Sequence, residues 1–168
     1  MIDKTWTTAA LTDDLIKYLW RDRWLAVREV QLTPMGQRAD VLAMRRKFND
    51  SPFFIFEIKT QRSDLLADLR SQKWRGYLEH GAVAFAFPLG LAEAKEIPAE
   101  AGVYIRGRWS WGWYRAARRF NAPRPSDYLH RRLSMTLADQ VEARTRDEVR
   151  VRFVAANENT NQIDQEAA

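Results

Sequence analysis

Two charged residues, Glu57 and Lys59, stand two positions apart at the end of the apolar run of residues 53–56. Because side chains on a β-strand alternate between its two faces, a strand here places both charges on one face. Charged groups at the end of a buried strand lose solvation and need partners or a function. An acid and a lysine side by side are chemical types that can act on a phosphate group.

A second acid, Asp40, lies near the start of the preceding predicted strand. If the two strands pair, the carboxylates of Asp40 and Glu57 converge, and two carboxylates repel each other unless a cation lies between them. Proteins hold Mg²⁺ with one or two carboxylates, together with water and phosphate oxygens. Lys59 beside such a metal could stabilise a pentavalent phosphate or help to deprotonate a water molecule. The pattern predicts metal-assisted hydrolysis of a phosphodiester, and an ion-paired sheet end is the alternative.

The elements that position these residues follow from the apolar patterns, which predict an α/β fold with a mixed sheet of about five strands flanked by helices. Two fully apolar runs are typical of strands buried on both faces, and a helical pattern lies between them. This order predicts a βαβ unit with parallel strands. The predicted strands span residues 24–32, 39–44, 53–59 and 82–87, with a hairpin of 103–105 and 108–114; the predicted helices start at Thr12 and Ser63, the second ends at Gly81, and 126–146 forms two helical pieces.

The composition is that of a globular protein, with 168 residues, 46% hydrophobic and 29% charged. The absence of cysteine excludes disulfide scaffolds, thiolate metal sites and thiol catalysis. With no long apolar stretch and no leader-like start, we expect a cytoplasmic protein that binds no membrane. The sequence predicts a single domain over residues 1–152, with a core of about 10–116, a basic helical extension of about 117–152, and a disordered tail over 153–168.

The basic excess lies in residues 101–152, which hold 12 basic and 5 acidic residues. Such a segment, interleaved with aromatic residues, suits contacts with nucleic-acid phosphates. Trp109, Trp111 and Trp113 alternate and are expected to share one strand face, where they either pack in the core or form a platform for unpaired bases. The predicted phosphate-binding arginines are Arg106, Arg108, Arg115, Arg118 and Arg119 around the hairpin, and Arg38 and Arg62 near the predicted site.

Five short segments between about residues 28 and 104 carry a resemblance to a known nuclease superfamily. They are Arg38-Ala39-Asp40-Val41-Leu42-Ala43, Phe56-Glu57-Ile58-Lys59, Arg62-Ser63-Asp64-Leu65, Lys73-Trp74-x-x-Tyr77 and Ile97-Pro98-x-x-x-Gly102-Val103. Their order resembles that of the PD-(D/E)XK nucleases, and closely that of the MmcB-like branch, whose role is in DNA repair. Ala39 stands where most members of the superfamily have proline, and the resemblance ends before about residue 117.

The resemblance implies a restriction-endonuclease-like core and a metal-dependent nuclease that hydrolyses DNA in repair or recombination. It implies Mg²⁺, with Mn²⁺ as a substitute, held by Asp40, Glu57 and the backbone carbonyl of Ile58. Lys59 is then the catalytic cation. Many relatives act as dimers, so a homodimer is expected where both strands of a duplex are cut.

The resemblance also points to residues outside the central triplet. Relatives often carry a glutamine or lysine on the following helix, so Gln72 and Lys73 are candidate catalytic residues. Some relatives carry a further acid on the first helix or the first strand. Glu29 on the first strand is the tentative candidate for a metal ligand, ahead of Asp13 and Asp14, which fit a helix-capping role. The alternative for Glu29 is a solvated strand residue or a partner for Arg38. Two other functions stay open: a weakly active or inactive DNA-binding module that acts with a partner, and an RNA-directed nuclease.

Overall fold

The computed structural model describes residues 5–34, 36–46, 51–117 and 126–166, with side chains described as far as residue 148. In these ranges, one mixed sheet of six strands is flanked by helices. The chain divides into two units, Met1–Leu133, which contains the sheet, and Ser134–Ala168, which contains the rest of the last helix. The elements are α1 (Thr8–Arg21), β1 (Trp24–Gln31), β2 (Arg38–Arg45), β3 (Phe54–Ile58), α2 (Arg62–Ser71), a 3₁₀ helix (Lys73–Glu79), β4 (Ala82–Pro88), a short 3₁₀ helix (Ala94–Glu96), β5 (Gly102–Arg106), β6 (Trp111–Arg115) and α3 (Asp127–Glu166).

The strands lie in the sheet in chain order, from β1 to β6. The β3–β4 and β4–β5 pairs are parallel, and the other three pairs are antiparallel. The connection from β3 to β4 runs through α2 and the Lys73–Glu79 helix, which confirms the predicted βαβ unit. The α/β fold with a mixed sheet is therefore confirmed. The sheet has six strands rather than about five, because both arms of the hairpin pair with it.

The sheet is covered on both faces, which explains why β3 and β4 are apolar at nearly every position. On one face, Leu15 and Leu19 of α1 pack with Phe54 and Phe56 of β3. On the other face, Trp74 of the Lys73–Glu79 helix packs edge-on against Phe85, with ring centroids 5.9 Å apart. Phe85 pairs in register with Glu57, so Glu57 lies on this second face.

The start of α1 differs from the prediction. Thr7 caps the helix, and its hydroxyl accepts a hydrogen bond from the backbone N–H of Ala10 at 3.2 Å. Thr12, the predicted cap, lies inside the helix and is buried, and its hydroxyl donates to the Thr8 carbonyl at 2.8 Å. Both threonines suit a cap chemically, and the earlier one lets α1 cover more of the sheet.

Two other helix predictions were wrong. The predicted single helix from Ser63 to Gly81 is interrupted at Gln72, whose φ of 53° ends α2 and starts the 3₁₀ helix. The predicted two pieces after residue 126 form one continuous helix, α3, which contains neither glycine nor proline to break it. The backbone of α3 extends through residues 153–166, where the sequence predicted a disordered tail. Among the described helices, none is long and apolar enough to cross a membrane.

Candidate active site

A cavity of about 370 Å³ opens where the start of β2 lies beside the end of β3. The two strands are antiparallel, and Val41 pairs with Phe56, so Asp40 and Glu57 are neighbours across the pair. Strand alternation thus brings the two predicted carboxylates together at one end of the sheet. The cavity is lined by Gly36, Arg38, Asp40, Glu57, Lys59, Asp68, Lys73, Trp74 and Tyr77.

Asp40 is held to the end of β3 by the backbone. Its Oδ2 accepts a hydrogen bond of 2.8 Å from the N–H of Ile58. Burial raises the pKa of Asp40, and the Ile58 hydrogen bond and the charge of Lys59 offset part of that rise. The hydrogen bond fixes the position of this carboxylate, and lone pairs remain on it for a cation.

Glu57 is almost fully buried, with 6% of its surface exposed. Its Oε1 has no hydrogen-bond partner among the described residues. Burial first, and the charge of Asp40 second, raise the pKa of Glu57 to about 8, although Lys59 lowers it. A buried carboxylate oxygen without a hydrogen-bond partner, next to a second carboxylate, is unfavourable in a closed protein core. The same arrangement is favourable in a site that binds a cation.

Lys59 is surrounded by acids, and its side chain is only 7% exposed. Its Nζ lies 3.7 Å from Glu57 Oε2 and 3.5 Å from Asp64 Oδ2, and it also contacts Asp68 Oδ2. Burial lowers the pKa of Lys59, but the hydrogen bond to Asp68 and the charges of these three acids raise it by more. The pKa of Lys59 is therefore above its ordinary value. Lys59 is therefore an ammonium ion at neutral pH, suited to stabilise negative charge rather than to remove a proton.

The residues at this cavity fit the implied Mg²⁺. The unpartnered Oε1 of Glu57 and the carboxylate of Asp40 are hard oxygen donors on one wall, next to the main chain of Ile58. The described residues contain no cluster of three or more His, Cys, Asp or Glu side chains that could hold a metal. A pair of carboxylates is enough for Mg²⁺, because this ion takes most of its other ligands from water and phosphate.

Of the two candidates after α2, Lys73 lines the cavity and Gln72 does not. Gln72 is exposed, because its left-handed backbone is the point where the chain turns from α2 into the 3₁₀ helix. One turn further on, the hydroxyl of Tyr77 donates to the carbonyl of Arg38 at 3.1 Å and fastens this helix to β2. Lys73 therefore adds a positive charge to the cavity wall, and Gln72 is a connecting residue.

Glu29, the tentative metal ligand, does not line the cavity. Its side chain is 64% exposed, and its Oε2 lies 3.9 Å from Arg38. Its φ of 53° is unusual for a non-glycine residue inside a strand and turns it out of the regular pattern of β1. The position agrees with the alternative that the sequence left open, a solvated partner for Arg38.

Asp64 and Asp68 are site residues that the sequence analysis did not identify. From the sequence, the two acids are expected to stabilise the start of a helix or to pair with Lys73. In the structure, both contact Lys59 instead. They lie one helical turn apart on α2, so they share a face, and that face lies over the end of β3. The sequence carried one signal for this role, the four-residue spacing of Asp64 and Asp68 on the helix that follows Lys59.

Arg106, a predicted phosphate contact, is engaged on the other face of the sheet. Its Nε donates to Asp14 Oδ2 at 2.7 Å, and Trp111 Nε1 donates to the same oxygen at 2.8 Å. Arg106 lies two residues after Tyr104, which packs in the core with α1, and strand alternation therefore turns Arg106 towards α1 as well. This ion pair anchors the β5–β6 hairpin to α1 and leaves Arg106 facing away from the cavity.

Two further predicted phosphate contacts have protein partners. The guanidinium of Arg115 donates to the carbonyl oxygens of four residues, Ala94, Ile97, Pro98 and Ala101. Arg62 forms a two-pronged ion pair with Glu96. Arg38 and Arg108 are exposed, and Arg118 and Arg119 lie outside the described residues. Arg38 and Arg108, and also Arg62 with 53% of its side chain exposed beside Glu96, are therefore the described arginines of this set that stay accessible to a phosphate.

Replacing Arg115 with lysine is expected to lower the free energy of unfolding by about 2 kcal/mol, because one ammonium cannot reach the carbonyls that the planar guanidinium joins. Urea denaturation followed by circular dichroism measures this. Arg108→Lys, a change at an exposed arginine of the same hairpin, is the control and is expected to leave stability unchanged. Equal stability of Arg115→Lys and the native protein would contradict the structural role.

The three alternating tryptophans do not share one environment. Trp111 is buried and Trp113 packs partly buried against the core, as core packing predicts. Trp109 lies in the turn between β5 and β6, where Gly107 donates its N–H to the Ser110 carbonyl at 2.9 Å, and it is 82% exposed. The predicted shared face was therefore wrong for Trp109, because the strand pattern stops before the turn.

Comparisons with known proteins bear on the fold. No protein-family model matches the chain, and no curated protein matches it. A solved structure that is similar is a protein of unknown function from Silicibacter pomeroyi, with a TM-score of 0.64 and 22% sequence identity over 85% of this chain and 91% of that one. At this identity the likeness supports the fold alone.

Proposed function

We propose that the protein is a Mg²⁺-dependent nuclease that hydrolyses phosphodiester bonds in DNA. The observation that carries the proposal is the buried carboxylate pair, Asp40 and Glu57, with an unpartnered Glu57 oxygen, beside the Lys59 ammonium in an open cavity. The topology around it, two antiparallel pairs followed by a helical crossover to a parallel strand, is the order expected for the PD-(D/E)XK nucleases.

Each residue of the site has a role in this reaction. Asp40 and Glu57, with the carbonyl of Ile58, would hold the metal, and Glu57 would bind it as the carboxylate. A bound Mg²⁺ would supply an activated water molecule and would neutralise charge on the phosphate. Lys59, held as an ammonium by its acidic neighbours, stabilises the charge on the phosphate as the water attacks. Lys73 adds positive charge to the wall that faces the substrate.

The remaining parts of the proposal concern biology. A role in DNA repair or recombination follows the resemblance to the MmcB-like branch. A cytoplasmic location and a homodimer, which would allow both strands of a duplex to be cut, belong to the same proposal.

A cleavage assay tests the proposed function. Labelled single-stranded, duplex and branched DNA, and an RNA of the same sequence, are incubated with Mg²⁺, Mn²⁺ or EDTA. We expect cutting of DNA that needs the metal and falls by at least about 100-fold in Glu57→Gln. The matched control is Glu79→Gln, at an exposed glutamate of the Lys73–Glu79 helix, which is expected to keep full activity.

Several outcomes would refute the proposal. Cutting in EDTA, or equal cutting by Glu57→Gln, would show that the carboxylate pair does not hold a required metal. Cleavage of RNA alone would make the protein an RNA-directed nuclease. Tight DNA binding without cutting under any metal would favour the binding module that acts with a partner.

A further inference from the structure

Trp109 is the most exposed of the large hydrophobic side chains that the structure describes. It lies in the turn between β5 and β6, which is closed by the hydrogen bond from the Gly107 N–H to the Ser110 carbonyl and does not require a tryptophan at this position. An exposed tryptophan adds nothing to the core and increases the risk of aggregation. Neither turn geometry nor packing therefore accounts for a tryptophan at this position.

Arg108 lies against the ring of Trp109, with its guanidinium carbon 4.7 Å from the ring centroid. The pair joins a flat aromatic face to a positive charge. This is the combination with which proteins bind single-stranded nucleic acids, because every base has a face that can stack and every nucleotide has a phosphate. The aromatic face of Trp109 and the charge of Arg108 thus suit the base and the phosphate of one nucleotide.

The hairpin that carries the turn is hydrogen-bonded to α1 on both sides of the turn. Arg106 and Trp111, on the two sides of the turn, are both hydrogen-bonded to Asp14 of α1. Two anchors on one carboxylate limit the movement of the hairpin between them. A platform held in this way loses little conformational entropy when it binds a ligand.

The turn lies at the same edge of the sheet as the cavity. The strands β3, β4 and β5 are parallel, so their carboxyl ends meet at one edge. The Lys59 N–H donates to the Ala86 carbonyl, and the Leu89 N–H donates to the Arg106 carbonyl. The β3–β4 and β4–β5 pairs are therefore hydrogen-bonded up to the carboxyl ends of these strands. The strands β3 and β5 are two strand spacings apart, about 10 Å, which about three stacked nucleotides span. The Asp14 anchors lie on the α1 face and the cavity on the opposite face, so the DNA strand would pass over this end of the sheet between the turn and the cavity.

We propose that Arg108 and Trp109 form a stacking platform for an unpaired nucleobase of a DNA strand whose phosphate enters the cavity. The substrate class is then DNA with a single-stranded segment, since the base faces inside a duplex are covered by their neighbours. The link to the cavity rests on the proposed nuclease function. The platform itself binds DNA with or without cleavage.

Binding measurements in EDTA test the platform. Fluorescence anisotropy compares a labelled dT12 oligonucleotide, a 12-residue abasic oligonucleotide of the same charge, and a 12-base-pair duplex. We expect Trp109→Ala to weaken binding of dT12 about tenfold or more, and to leave binding of the abasic oligonucleotide and the duplex unchanged. Trp109→Tyr, which keeps an aromatic face, is expected to retain most of the affinity. Tyr114→Ala, at an exposed aromatic residue on β6 of the same hairpin, is the matched control and is expected to have no effect.

The outcomes separate the platform from the nuclease. Equal affinity of the native protein for dT12 and the abasic oligonucleotide would overturn the platform, and so would an equal loss of duplex binding in Trp109→Ala. Binding to anionic lipid vesicles that Trp109→Ala removes, with dT12 binding unchanged, would overturn it in favour of a membrane contact. If the native protein cuts nothing but the dT12 results hold, the nuclease proposal fails and the platform stands; if Mg²⁺-dependent cutting occurs but Trp109→Ala binds dT12 normally, the reverse is true.

Discussion

Lys59→Ala is expected to lower the rate of Mg²⁺-dependent DNA cleavage by about 100- to 1,000-fold while the affinity for DNA in EDTA changes by less than about threefold. The reason is geometric: Lys59 is almost fully buried, and its ammonium lies against acids at the floor of the cavity. It cannot contribute much to the diffuse attraction of DNA that exposed arginines provide. Single-turnover cleavage with saturating enzyme measures the first quantity, and anisotropy measures the second.

A structural loss could mimic this result, because Lys59→Ala leaves the carboxylates of Asp64 and Asp68 without their cation, at a cost of about 2–4 kcal/mol in stability. The double variant Lys59→Ala/Asp68→Asn removes one of the unpaired charges and is expected to regain part of that stability without regaining cleavage. Lys95→Ala, at an exposed lysine, is the control for loss of a positive charge. If the double variant cuts DNA as the native protein does, Lys59 has a structural role alone.

The strands were predictable from the sequence because their signal is local. A strand buried on both faces has no position for a polar side chain, so β3 and β4 appear as continuous apolar runs between turn residues. The ends of the helices depended on competition between similar residues. Thr7 and Thr12 are both able to cap α1, and the helical periodicity on the two sides of Gln72 does not show that the chain turns there.

The candidate site likewise has a part that follows from local sequence rules and a part that depends on long-range packing. Strand alternation places Glu57 and Lys59 on one face, and this local rule predicted the centre of the cavity. The partner of Arg106 is Asp14, 92 residues away in the chain, so only the packing of α1 on the sheet reveals it. The contact of Asp68 with Lys59 similarly depends on where α2 lies over the end of β3. Long-range packing therefore decided which charges face the cavity.

Glu57→Gln is expected to stabilise the metal-free protein at pH 8 by about 2–4 kcal/mol, a gain that shrinks towards pH 4.5. The pKa of Glu57 is about 8 in the folded protein, against an ordinary value of 4.5. Between these values the folded state binds a proton that the unfolded state has released, so this group makes the native protein less stable as pH rises. Glutamine has the same shape without the charge and removes that dependence. Urea denaturation in EDTA at several pH values measures the effect.

Adding Mg²⁺ at pH 8 should reverse the order. An ion that binds the folded state alone stabilises it by mass action, so the native protein gains stability with increasing Mg²⁺ and Glu57→Gln gains much less. Glu79→Gln, the exposed control, is expected to follow the native protein in both conditions. If Glu57→Gln were less stable than the native protein in EDTA at pH 8, the carboxylate would be part of a satisfied ion pair, and the site would be a closed sheet end. A stabilising substitution that also abolishes the response to Mg²⁺ instead identifies a carboxylate kept at the expense of stability for the ion that it binds.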